Sequence, residues 1–117
     1  VQREAIQEVF LQAGRPLRLE NILEHGRLLV PSLNQATVYR NLKLLVESGW
    51  LTQVQHPTLG AIYERSDREH HHHFYCNACD RIYELPGCPL NMAATPEGFV
   101  VEGHEIFLSG LCPACVR

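Results

Sequence analysis

A chain of 117 residues can form one ordinary domain or two small ones, and two small ones need a stabiliser besides an apolar core. Apolar residues make up 45% and charged residues 20%, the balance of a folded soluble protein, and no apolar stretch is long enough to span a bilayer. The net charge of −3 is unevenly spread: residues 1–56 hold six Lys/Arg against five Asp/Glu, and residues 57–117 hold four against eight, so only the first half is suited to meet phosphates.

The chain opens on an amphipathic helix, with Ile6, Val9, Phe10 and Ala13 at helical spacing and a stop at Gly14 and Pro16. The beginning lacks the basic and apolar regions of a secretory signal, which predicts a cytoplasmic protein. A second helix is expected from about Leu19 to Arg27, burying Ile22 and Leu23 before the break at Pro31. Ser32 and Gln35 match a capping box, and the apolar stripe Val38, Tyr39, Leu42, Leu45 and Val46 then predicts a third helix ending at Gly49. Trp50–Gln55 and Ala61–Arg65 read as two strands joined by a hairpin loop over His56–Gly60. Three helices and a hairpin predict a winged helix-turn-helix domain over residues 1–66, and residues 67–117 form a second, small α/β domain, making an α+β protein.

In a winged helix the third helix enters the major groove and its outer residues reach bases and phosphates. Asn34, Gln35, Thr37, Tyr39 and Arg40 are the candidates. Asn and Gln can read adenine, the Thr methyl can touch thymine, and Tyr and Arg can hold the backbone. A solvated helix face explains the same residues equally well.

Cys76-x-x-Cys79 and Cys112-x-x-Cys115 offer four thiolates, the closed donor set of a structural zinc site that would replace a missing core. Disulfides are the alternative, disfavoured in a reducing compartment. The run His70-His71-His72-His73 is internal and precedes strand-like Phe74-Tyr75. If extended, it puts His71 and His73 on one face and His70 and His72 on the other, so one strand can serve two metal sites.

The segment Thr37-Val38-Tyr39-Arg40-x-Leu42 resembles the recognition-helix signature of the ferric uptake regulator (Fur) superfamily, with zinc uptake regulators as one type. The resemblance runs from about Val1 to Cys115 and takes in the hairpin, the histidine run and both cysteine pairs in the same order. It implies a metal-responsive repressor of metal-homeostasis genes that binds an inverted-repeat operator in double-stranded DNA as a homodimer. The cysteines would hold structural zinc, and Glu64, His71, His73 and Glu84 a regulatory zinc or iron. His70, His72 and His104 match a second site, with Cys88 in place of the family's carboxylate, although Cys88 suits a small buried apolar residue equally well. A thiolate there favours zinc as the effector, with iron next and manganese, nickel or peroxide sensing as further options.

The resemblance departs at Pro16, where the family often has a further histidine ligand for which His56 or His25 are stand-ins. It also implies a helix before the position of Val1, and dimerisation through a sheet that includes Phe99-Val100-Val101 and Ile106-Phe107-Leu108. A zinc enzyme is disfavoured: there is no His-Glu-x-x-His helix, and Leu111 precedes Cys112 where a deaminase has proline. The remaining alternative is a constitutive DNA-binding or interaction module stabilised by zinc, without metal sensing.

Overall fold

The structure, a computed structural model, describes residues 2–67, 71–87 and 95–116. In them follow α1 (Gln2–Ala13), α2 (Leu19–Leu29), α3 (Gln35–Glu47), β1 (Leu51–His56), β2 (Gly60–Arg65), β3 (His71–Cys76), β4 (Ile82–Pro86) and β5 (Phe107–Gly110). The chain forms two units, Val1–Arg68 and Glu69–Arg117. Among the described residues no helix is long and apolar enough to cross a membrane.

In the first unit α1 buries Ala5, Ile6, Val9 and Phe10, residues that helical periodicity brings to one face. Leu17, in the linker that follows, exchanges two backbone hydrogen bonds with Tyr63 of β2, at 2.9 and 2.8 Å. The linker thereby adds a single antiparallel bridge to β2. α2 continues to Leu29, beyond the expected end at Arg27, because Gly26 accepts the Val30 N–H at 2.8 Å and only Pro31 bars further helix. Gly26 itself is required for packing: a Cβ there would lie 2.6 Å from Leu33 Cδ2.

The start of α3 corrects the expected capping box at Ser32. Leu33 is only 1% exposed and its N–H donates to Val30 O at 3.0 Å, so the turn extends through residue 33. Asn34 is the N-cap, its Oδ1 accepting the Thr37 N–H at 2.9 Å. Val38, Leu42 and Leu45 are buried. The helix ends where Gly49 (φ 85°) donates to Val46 O and Trp50 to Leu45 O, a Schellman motif. Together with Phe10, Ile22, Leu51 and Tyr63 these side chains make a single apolar core, and Phe10 meets Trp50 edge to face at 6.2 Å. β1 and β2 pair antiparallel from Leu51↔Arg65 to His56↔Gly60, leaving Pro57, Thr58 and Leu59 at the tip.

The second unit is a three-stranded sheet in the order β4-β3-β5. β3 pairs antiparallel with β4 (His73↔Glu84, Phe74↔Tyr83) and parallel with β5 (His73↔Phe107, Cys76↔Gly110). The expected strand at Phe99-Val100-Val101 is absent. These residues follow a turn in which Phe99 N–H donates to Pro96 O, and they are 69%, 86% and 42% exposed. β-branched and aromatic residues favour a strand only where a neighbouring strand receives them, and these three have none among the described residues.

Candidate metal centres and recognition helix

Two tight turns bring the cysteines together. In the first, Asp80 N–H returns to Cys76 O at 3.0 Å, and Asp80 takes a positive φ of 63°, which Asp tolerates better than most residues. The Tyr75 hydroxyl donates to the Asp80 carboxylate and braces the turn. In the second, the Cys115 and Val116 N–H groups both donate to Cys112 O, at 2.9 and 3.1 Å. Asn77 N–H donates to Gly110 O at 2.8 Å and joins the turns across the β3–β5 pair.

All four sulfurs lie within 4.8 Å of one another, and Cys79 Sγ and Cys112 Sγ are 3.8 Å apart. A disulfide requires about 2.05 Å, and all four cysteines are free. Tetrahedral thiolates about 2.3 Å from a zinc ion are themselves about 3.8 Å apart, which is the separation of Cys79 and Cys112. The electrostatics favour a cation in the same place. The Cys112 N–H donates to Cys76 Sγ at 3.4 Å and holds the Cys76 thiol down to about 6. The Tyr83 hydroxyl donates to Cys112 and lowers that thiol, at the cost of raising the phenol. Bonds to the other sulfurs, Cys112 first, push Cys115 up to about 12. A cluster that stabilises its first thiolates and resists its last needs positive charge to complete ionisation, and a divalent ion bound by four sulfurs supplies it. Tyr83 was not legible as a partner of Cys112, because only the β3–β4 register brings it there.

The histidine run sits on the central strand. His71 and His73 offer ring nitrogens within 4.8 Å of each other, and their ring centroids are 5.0 Å apart. Glu84 lies directly opposite His73, and its Oε1 is 4.0 Å from His71 Nε2. His73 also stacks on Phe107, at 5.7 Å between centroids and 18° between planes, which fixes one ring orientation. This set is two imidazoles and a carboxylate, borderline donors that suit zinc or ferrous iron. His72 is 2% exposed, and its ring lies 4.9 Å from that of His104. Its Nδ1 accepts the Ile106 N–H at 3.2 Å. His70 and Cys88, the other two members expected at that second site, lie outside the described residues. Glu64 is buried on β2 in the first unit.

The two stand-in histidines are both engaged locally. His25 Nδ1 lies 2.8 Å from Asn21 O, one helical turn back. His56 Nδ1 accepts the N–H groups of Thr58 and Leu59, each at 3.1 Å.

On α3, Gln35, Tyr39 and Arg40 are exposed, Tyr39 to 57%. Thr37, expected on the outer face, is buried at 7%. It adjoins Val38 at the edge of the apolar stripe, so helical periodicity turns it inward. It organises the first turn instead: its O accepts from Asn41 Nδ2 at 2.9 Å and its Oγ1 from Arg40 at 3.4 Å. Asn34 is exposed, but its Oδ1 already serves as the cap.

Comparison with known proteins adds three findings. A family model described as the ferric uptake regulator family matches residues 1–108. The ferric uptake regulation protein of Bordetella parapertussis is 36% identical over 86 residues, which cover 70% of this chain and 62% of that protein. Among the solved structures that resemble this chain are two that cover nearly all of it. The Helicobacter pylori ferric uptake regulator, described as having three functional metal binding sites, gives a TM-score of 0.70 at 24% identity, over 99% of this chain and 80% of that one. A zinc uptake regulator complexed with zinc and DNA gives 0.62 at 25% identity, over 98% and 81%.

Proposed function

The chain belongs to the ferric uptake regulator family, and on that premise we propose that it is a cytoplasmic, metal-responsive transcriptional repressor that binds operator DNA as a homodimer. The observation that carries this reading is the presence, in one small sheet, of two donor sets of opposite character. The four-cysteine set is closed, with no position left for water or an incoming ligand, and suits permanent structural zinc. The set of His71, His73 and Glu84 provides more weakly binding donors, as a site that fills and empties requires.

Glu64 is the fourth donor of the regulatory site in this reading, and it alone of the four comes from the first unit. Occupation of the site would then favour one arrangement of the DNA-binding unit over others. By linkage, DNA in turn would tighten the metal. Gln35, Tyr39 and Arg40 on α3 are the residues that meet DNA, with Asn34 and Thr37 shaping the turn that presents them. His72 and His104, with His70 and Cys88, form the second site. A cysteine among its donors favours zinc as the effector, in line with the zinc uptake regulator among the similar structures; iron is the alternative, in line with the Bordetella relative.

The test is metal-stimulated DNA binding by the double variant His71→Ala/His73→Ala, against a duplex that the zinc-loaded wild type selects from a random pool. The variant is expected to keep its structural zinc and its fold but to lose most of the stimulation by added zinc or ferrous iron. Stimulation equal to the wild type would show that the histidines do not sense, leaving a constitutive zinc-stabilised module.

A further inference from the structure

The β1–β2 hairpin is the wing of the DNA-binding unit, and residues 51–63 contain no Lys, Arg, Asp or Glu. Arg65, at the foot of β2, is engaged by Asp67 and lies over the Trp50 ring, so the tip of the wing has no side chain that forms ion pairs with phosphates. Whatever it contributes to DNA binding comes from shape and from the dipoles of its amides and hydroxyls, and these act only if the tip is held in one conformation. The tip has one evident holder. His56, the last residue of β1, is only 9% exposed, and its Nδ1 receives the N–H groups of both Thr58 and Leu59 at 3.1 Å. The Thr58 hydroxyl lies 3.4 Å from the same nitrogen. Gly60, paired with His56, closes the loop at φ 82°. Pro57 and Thr58 are left exposed at the apex.

We propose that His56 is a positioning residue for DNA recognition: it fixes the uncharged wing tip so that Pro57 and Thr58 meet the duplex beside α3 without an ordering cost at binding. The proposal rests on the DNA-binding reading and adds to it a role for a histidine first considered as a metal ligand. The pattern is that of an Asx turn, in which an acceptor at one residue takes the amides two and three residues on. Asparagine can therefore replace histidine in this role, which a metal ligand or a buried aromatic filler would not allow.

The experiment compares wild type, His56→Ala and His56→Asn, all zinc-loaded, on the duplex selected by the wild type, with affinity measured across a salt series. Loss of two capping amide bonds is expected to weaken His56→Ala about ten-fold. The slope of affinity against salt should stay unchanged, since no charged contact with a phosphate is lost. His56→Asn should recover most of the affinity, and all three proteins should carry the same metal per chain. Wild-type affinity in His56→Ala, no recovery in a folded His56→Asn, a lowered salt slope, or metal lost in either variant would each overturn the proposal. If the wild type selects no duplex at all, the DNA-binding reading falls first and this inference falls with it.

Discussion

The two units solve the problem of folding a short chain by different means. The first surrounds Phe10, Ile22, Leu42 and Tyr63 with further aliphatic side chains from three helices and a hairpin. The second, over its described residues, fully buries little that is aliphatic besides Ile82; its other buried side chains are Cys76, Cys112, His72 and His73. Hydrophobic burial stabilises a domain in proportion to apolar area removed from water, so the first unit can stand on its core. The second has no comparable core among its described residues, and its buried cysteines and histidines are the groups that a metal ion converts from a liability into a crosslink. Metal dependence should therefore be felt in the sheet, and only through it in the helices.

Cys76→Ser should have the largest effect on the second unit. Structural zinc contributes on the order of 10 kcal/mol or more to folding small metal domains, so this variant should lose zinc and amide protection across β3, β4 and β5 while keeping the helical circular dichroism of α1–α3. Leu42→Ala should do the reverse. It should cost the first unit about 2–5 kcal/mol in denaturant unfolding and leave the metal content per chain unchanged.

A smaller effect sharpens the account of the cysteine cluster. The Cys76 thiol is held at about 6 in the fold against an ordinary 9.0. A depressed value means that its contribution is fully present above about 9 and is lost as pH falls through about 6. Zinc release followed with a colorimetric chelator should therefore increase as the pH is lowered through and below about 6. Zinc retained unchanged well below that pH would mean that protonation of the thiolates does not control the site.

Much of this molecule was legible in its residues, and the exceptions have physical causes. Val38, Leu42 and Leu45 mark α3 because burial on one face imposes a helical period. The two Cys-x-x-Cys pairs mark a metal site because that spacing puts two sulfurs at one turn. Ser32 was read as the cap, yet Leu33 is drawn into the core, which shifts the helix start and makes Asn34 the cap. Thr37 was placed outside because it is polar, whereas its position beside Val38 decides the matter. Phe99, Val100 and Val101 have strand composition without a strand partner among the described residues, and composition cannot supply one. The contacts of Tyr83 with Cys112 and of His56 with its own turn depend on register and local backbone geometry, to which residue spacing is blind.

The most direct test of this division between the units is hydrogen exchange resolved along the chain, before and after zinc is stripped with a strong chelator. The account predicts that protection over residues 71–86 and 107–110 collapses on stripping and returns with added zinc, while protection over α1, α2 and α3 is retained throughout. Protection of the sheet that survives in fully metal-free protein would contradict it, and would mean that the cysteine cluster is not what holds the second unit together.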